Sequence, residues 1–135
     1  MKRLFLIPFV LSLLLFGWLV ATSAEAATPP KKTPDLLAQG KKLYEQNCSP
    51  CHGTKGDGKG PAGVALKPPP NDFANPFKDW PHTKGDPSKI FEVITKGIPN
   101  SAMVKWDQLP ENDRWALAYT VMEFSASAKE PAKKK

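Results

Sequence analysis

Leu36, Gly40, Leu43, Tyr44 and Asn47 recur at spacings of three and four within an otherwise polar stretch, which predicts one face of an amphipathic helix. Its start is marked as well. Thr33 stands where an N-cap hydroxyl is expected, and Pro34 takes the first helical position, where a missing N–H leaves no bond unmade. A glycine inside that face costs about 1 kcal/mol relative to alanine, so Gly40 predicts a close helix crossing that compensates. The same cap-then-proline order returns at Asp86-Pro87-Ser88; Ile90, Phe91, Val93 and Ile94 fill the helix that follows and Gly97 ends it. A last helix begins near Pro110-Glu111 and runs to about Ser125. Trp115, Ala118, Tyr119 and Met122 share one of its faces, and Glu111 and Asp113 occupy the first turn, where the helix dipole favours negative charge. No run alternates apolar and polar residues as a strand would, and there is no internal repeat, so the pattern predicts an all-α domain.

From Gly53 to Gly85 this periodicity is lost. Gly56, Gly58, Gly60 and Gly63 are followed by a series of prolines from Pro61 to Pro87, which excludes regular helix and central strand alike. Yet Val64, Leu66, Phe73, Phe77 and Trp80 are too apolar for a solvated loop. A long loop with buried apolar side chains is expected to wrap something, and that partner need not be protein. A shorter loop, Ile98 to Trp106, separates the last two helices.

The ends of the chain carry different signals. Lys2-Arg3, the apolar run Leu4 to Val20 and the tripeptide Ala24-Glu25-Ala26 follow the order of a secretory signal peptide, with cleavage expected after Ala26. The alternative is an uncleaved anchor; its 17-residue apolar run lies at the lower limit for spanning a bilayer and contains Pro8 and Gly17. The expected organisation is therefore a signal peptide at 1–26, a Pro/Lys linker at 27–33, one domain at 34–126 and a disordered basic tail at 127–135. A domain this small often leans on a cofactor, metal or disulfide. Removing Lys2, Arg3 and Glu25 takes the formal charge from +6 to +5, spread along the chain except at Lys31-Lys32 and Lys133-Lys134-Lys135. Export makes nucleic acid a poor partner. The charge then serves solvation or steers acidic protein partners, and membrane contact is expected only if the N-terminal segment stays uncleaved.

Both cysteines fall in Asn47-Cys48-Ser49-Pro50-Cys51-His52-Gly53, together with one of the two histidines. A thioredoxin-type dithiol has the Cys-x-Pro-Cys spelling but follows a strand in a βαβ pattern, whereas the segment here is helical. Structural zinc takes four ligands; Cys48, Cys51, His52 and His82 just suffice in number, but adjacent Cys51 and His52 chelate one tetrahedral ion poorly. A disulfide across two residues would close too small a loop to gain much. C-x-x-C-H is also the attachment signature of c-type haem, and this reading uses every residue. Cys48 and Cys51 add to the haem vinyl groups as thioethers, and His52 becomes an axial ligand of the iron. Met103, Met122 and His82 are the candidates for the sixth position. Met122 shares the apolar face of the last helix and reads as core, and His82, in Trp80-Pro81-His82-Thr83, reads as an exposed loop residue. Met103 lies in the short loop beside Ser101-Ala102 and near Trp106, the context that a methionine directed at iron requires, and is favoured.

Over roughly Pro34 to Phe124 the chain resembles a small monohaem class I cytochrome c. The resemblance is carried by the first helix ending at "CSPCHG", by "GDGKGPAGVALKPPPNDF", by "ITKGIPNSAMVKW" in the place of the axial-methionine loop, and by the terminal helix "RWALAYTVMEF". The chain departs from the pattern at Val104, where many relatives have proline, and at Leu109, where Ser or Thr often caps the helix. The resemblance implies three or more helices around one haem c, with Gly40 and Tyr44 meeting the Trp115/Tyr119 face where the first and last helices cross. It implies a proline carbonyl, Pro61 or one of Pro68 to Pro70, that accepts the His52 ring N–H and tunes the iron. With His52 and Met103 on its two faces the iron has no position for substrate, so the implied role is electron transfer between Fe(II) and Fe(III) rather than catalysis, at a potential raised by the methionine. Val64, Leu66, Phe73 and Trp106 are expected to keep water from the ring, and Lys55, Lys59 and Lys105 to steer acidic redox partner proteins. Two alternatives remain: an electron-entry subunit of a larger oxidoreductase complex, and a haem enzyme or gas sensor with an open distal site. Replacing both thiols, Cys48→Ala with Cys51→Ala, is expected to abolish covalent haem, measured as the loss of haem that resists acid-acetone extraction.

Overall fold

The computed structural model describes residues 28–127; the expected signal peptide at 1–26 lies outside the described residues, as does the tail expected at 127–135 apart from Ser127, which belongs to the last helix. Its α-helices are α1 (Pro34–Asn47), α2 (Ser49–His52), α3 (Pro87–Lys96) and α4 (Glu111–Ser127), with a 3-10 turn at Phe77–Asp79 and no strand among the described residues. The all-α expectation holds, and the helix starts behave as their sequences indicate. The Thr33 hydroxyl accepts from the Leu36 N–H at 3.2 Å. The Asp86 carboxylate accepts from the N–H groups of Ser88 and Lys89 at 2.8 and 3.2 Å, satisfying donors that an N-terminus leaves unpaired. Gly97, at φ 70°, closes α3.

The core is organised around α4. Every residue from Trp115 to Val121 is buried, so this helix is covered on all sides at its middle rather than along the single face predicted. The crossing with α1 differs accordingly from the expected one. Gly40 lies against Ala116 and Thr120, where a Cβ would stand 2.2 Å from both the Ala116 carbonyl oxygen and the Thr120 hydroxyl. Tyr44, one turn along, packs on Phe124 with ring centroids 4.9 Å apart. The residues that meet Gly40 are therefore Ala116 and Thr120 rather than Trp115 and Tyr119. Trp115 stacks on Phe91 of α3 at 4.3 Å, and the Tyr119 hydroxyl donates to the Pro30 carbonyl at 2.8 Å. Lys32 pairs with Glu123 beside it, so residues before α1 are held along α4.

The glycine-rich run after α2 has a local purpose. A one-turn helix leaves its carbonyls without intrahelical partners; here the Pro50, Cys51 and His52 carbonyls accept from the N–H groups of Ala62, Gly60 and Gly58 at 2.9, 3.1 and 2.9 Å. The backbones approach so closely that a Cβ on Gly60 would stand 2.3 Å from the Pro50 oxygen, and one on Gly63 2.1 Å from the Cys51 oxygen. Side chains at these positions would lift the loop off the turn that carries both thiols.

Gly40→Ala is expected to force α1 and α4 apart and to lower stability by about 1–3 kcal/mol, the usual range for overpacking a fitted contact. Guanidinium unfolding checks this as a lower midpoint at unchanged slope.

Candidate functional site

The site begins where α1 stops. Cys48 follows Asn47 as the cap of α1, and its carbonyl accepts from the N–H groups of Cys51 and His52 at 3.1 and 2.9 Å, so the chain continues directly into the single turn of α2. Residues three and four apart on a helical turn face the same way, and this spacing delivers Cys48, Cys51 and His52 to one side. Pro50 lies in the first turn, where its missing N–H has no intrahelical acceptor to lose. Gly53 ends the turn at φ 78°, and its carbonyl accepts from the buried Tyr44 hydroxyl at 2.9 Å.

These residues open onto a cavity of about 550 Å³, within the roughly 300–1,000 Å³ typical of cofactor and ligand sites. Its walls are Leu66, Pro68–Phe73 and Trp80–Thr83 from the long loop, Ile90, Val93 and Ile94 from α3, Ile98 and Ser101–Val104 with Trp106 from the second loop, and Leu117 and Val121 from α4. The long Pro/Gly loop thus lines the cavity while Phe73, Phe77 and Trp80 also pack on the core. Val64 is an exception to the expected lining: it is 70% exposed and lies outside the cavity wall. Leu117 and Val121, by contrast, line it but escaped the sequence reading, because the Trp115/Tyr119 stripe dominated the apolar pattern of α4.

His52 is held on two sides. Its Nδ1 lies 3.3 Å from the Asn71 carbonyl oxygen, and its ring stacks on Phe73 with centroids 4.7 Å apart and planes 19° from parallel. The acceptor is therefore Asn71, not Pro61 or one of Pro68 to Pro70; the proline run ends one residue short of the carbonyl that faces the ring. A backbone acceptor carries no sequence signal, since every residue type supplies one. A carbonyl only accepts, so this bond requires the proton on Nδ1 and leaves the Nε2 lone pair available to a metal. Burial lowers the His52 pKa, against a smaller opposing effect of the Asn71 bond, and so favours the neutral ring that ligates metals.

Burial, reinforced by the neighbouring Cys51, pushes the Cys48 thiol up to about 12. Dithiol oxidoreductases need the opposite shift, and among the described residues no strand precedes the pair. Among the described residues no three His, Cys, Asp or Glu side chains gather closely enough to hold a metal ion by themselves. Both cysteines are free thiols.

The candidates for a second axial ligand are sorted by position. Met103 is half-buried and lines the cavity. His82 also lines it, from an exposed position between Pro81 and the buried Thr83. Met122 packs against the core and is not on the wall. Of the lysines expected to steer partners, Lys55 and Lys59 are exposed, whereas Lys105 pairs with Asp107 at 2.8 Å, which offsets its charge. The residue types present fit a haem: two thiols and an imidazole on one turn, a thioether on a facing loop, and a predominantly apolar enclosure.

No described helix is long and apolar enough to cross a membrane. A search of curated proteins finds no match. Among solved structures the chain is similar to one from the reducing HAO-like protein complex of Kuenenia stuttgartiensis, at 29% identity and a TM-score of 0.59, over 78% of this chain and 49% of that one. The present chain thus spans about half the length of that relative. The family model described as "Cytochrome C oxidase, cbb3-type, subunit III" matches residues 35–119, which takes in α1 to α3 and the first half of α4. The chain belongs to this family, and its helices form the class I cytochrome c fold.

Proposed function

We propose that the cavity holds one haem c, attached through thioethers at Cys48 and Cys51 with His52 and Met103 as axial ligands, and that the protein carries electrons rather than catalysing a reaction. The observation that supports this best is the convergence of both thiols, His52 and Met103 on one apolar cavity. When bound, haem c supplies a one-electron couple between Fe(II) and Fe(III). The protein supplies the surroundings that set the potential. Asn71 and Phe73 fix the orientation of the His52 ring. Met103 contributes a neutral thioether, which favours the reduced state. Leu66, Ile90, Ile94, Leu117 and Val121 exclude water from the same wall and push in the same direction.

Pro68, Pro69, Pro81, Ala102 and Val104 line the cavity and are also exposed, Val104 to 61%, so the cavity reaches the surface along an apolar rim. Electrons pass there to a redox partner protein, with Lys55 and Lys59 available to steer an acidic one. The site of action is the periplasm or the equivalent outer face of an energy-transducing membrane, since covalent haem attachment goes with the export signal at 1–26. A second reading, an electron-entry subunit of a larger oxidoreductase, draws support from the names of the family and of the similar structure, one a subunit and the other a complex. Co-purification of a stoichiometric partner from the native source favours it; monomeric elution favours the free carrier.

An optical spectrum of the exported holoprotein tests the main reading. Haem that survives acid-acetone extraction, with a weak far-red band in the oxidised state, is the expected result. Met103→Ala is expected to remove that band, to allow carbon monoxide to bind the reduced protein and to lower the potential, within the range of about 0.8 V that axial ligands command. Unchanged spectra in the variant would move the ligand elsewhere, His82 first. Carbon monoxide binding to the untreated reduced protein would favour an open distal site and an enzyme or sensor.

A further inference from the structure

The loop that carries Met103 is closed by hydrogen bonds centred on Ser101. The Ser101 hydroxyl donates to the Ile98 carbonyl at 2.9 Å and accepts from the Met103 N–H at 3.1 Å, while the Ile98 N–H donates to the Met103 carbonyl at 3.0 Å. Both backbone groups of Met103 are thereby engaged, and Ile98, Ser101 and Met103 form a ring. The ends of the loop are fixed to α3: the Gly97 N–H donates to the Val93 carbonyl at 2.8 Å, and the Trp106 N–H to the Ile94 carbonyl at 3.0 Å. The fit is tight, since a Cβ on Gly97 would stand 2.6 Å from the Met103 oxygen. Within residues 97–104 Ser101 supplies the side-chain hydrogen bonds; the other bonds are made by backbone.

We propose that Ser101 is a positioning residue for the axial thioether: its hydroxyl locks the Met103 backbone so that nitrogen ligands do not displace the sulfur. This rests on the assignment of Met103 as an axial ligand. The need for such a device follows from ligand chemistry. A neutral thioether is a soft donor that suits ferric iron less well than imidazole does. A sulfur already in place, however, loses no loop entropy on binding, so loop rigidity decides the competition. A competitor stands close by, because His82 lines the same cavity from an exposed loop.

The test is titration of the oxidised holoprotein with imidazole, following the far-red band, for wild type, Ser101→Ala and Ser101→Thr. Wild type is expected to show the band. Ser101→Ala is expected to lose it at an imidazole concentration about tenfold lower, the scale set by losing the hydroxyl's net hydrogen bonding. Ser101→Thr, which keeps the hydroxyl, is expected to titrate close to wild type. A Ser101→Ala protein as resistant as wild type overturns the proposal, and so does a Ser101→Thr protein as sensitive as Ser101→Ala, because the hydroxyl would then not be what holds the sulfur. In both of these cases the wild-type band leaves Met103 as ligand. A wild-type protein without the band removes the ligand assignment, and the proposal with it.

Discussion

The close approach of α1 to α4 at Gly40 is the constraint on which the rest depends. With no Cβ in the way, the α1 backbone comes within contact distance of the Ala116 carbonyl and the Thr120 hydroxyl, and the following turn of α1 carries Tyr44 against Phe124. That seat sets where α1 ends. Since α2 follows after the single residue Cys48, it also sets where both thiols and His52 face. Leu117 and Val121 of α4 line the same cavity. One helix pair therefore positions the Cys48–His52 turn and part of the cavity wall together.

A second layer of structure holds the irregular chain in place. The turn of α2 is too short to satisfy its own carbonyls, and the glycine-rich loop supplies the missing donors from Gly58, Gly60 and Ala62. Continuing from there, the Phe73 N–H bonds to the Gly56 carbonyl, which brings Asn71 and Phe73 to two sides of the His52 ring. Phe73 is in turn packed against Trp80, at 5.2 Å between centroids, and Trp80 is 1% exposed. The ring that is proposed to ligate iron is thus oriented by loop backbone and one aromatic, themselves anchored in the core. The facing loop uses a different device, closure around Ser101.

The same residues explain the proposed balance of properties. A neutral His52, a protonated Cys48 and a wall of aliphatic side chains describe a site that disfavours net charge. Such a site suits a covalently held haem whose reduced iron carries less charge than its oxidised form, and it does not suit thiolate chemistry. The exposed prolines and Val104 form the rim at which the proposed electron transfer to another protein would take place.

The features legible in the sequence were those fixed by neighbours along the chain: the Thr33 and Asp86 caps, the stop at Gly97, the absence of strands among the described residues, the C-x-x-C-H turn, and a loop too apolar to be solvated. Each follows from local backbone preference or from residue spacing. Other features required distant segments to be brought together. Gly40 announced a crossing but not its partner, because α4 is apolar around most of its circumference and offers several faces; the packing of α1 on α4 selected Ala116 and Thr120. Val64 is as apolar as Leu66 in sequence, yet only Leu66 lines the cavity. Asn71 holds His52 through a carbonyl that any residue would have supplied, so only the path of the loop could select it. Residue chemistry was therefore determined by the sequence, and which of several equivalent groups met each other was decided by the tertiary structure, because burial and backbone hydrogen bonding depend on position in space rather than on residue type.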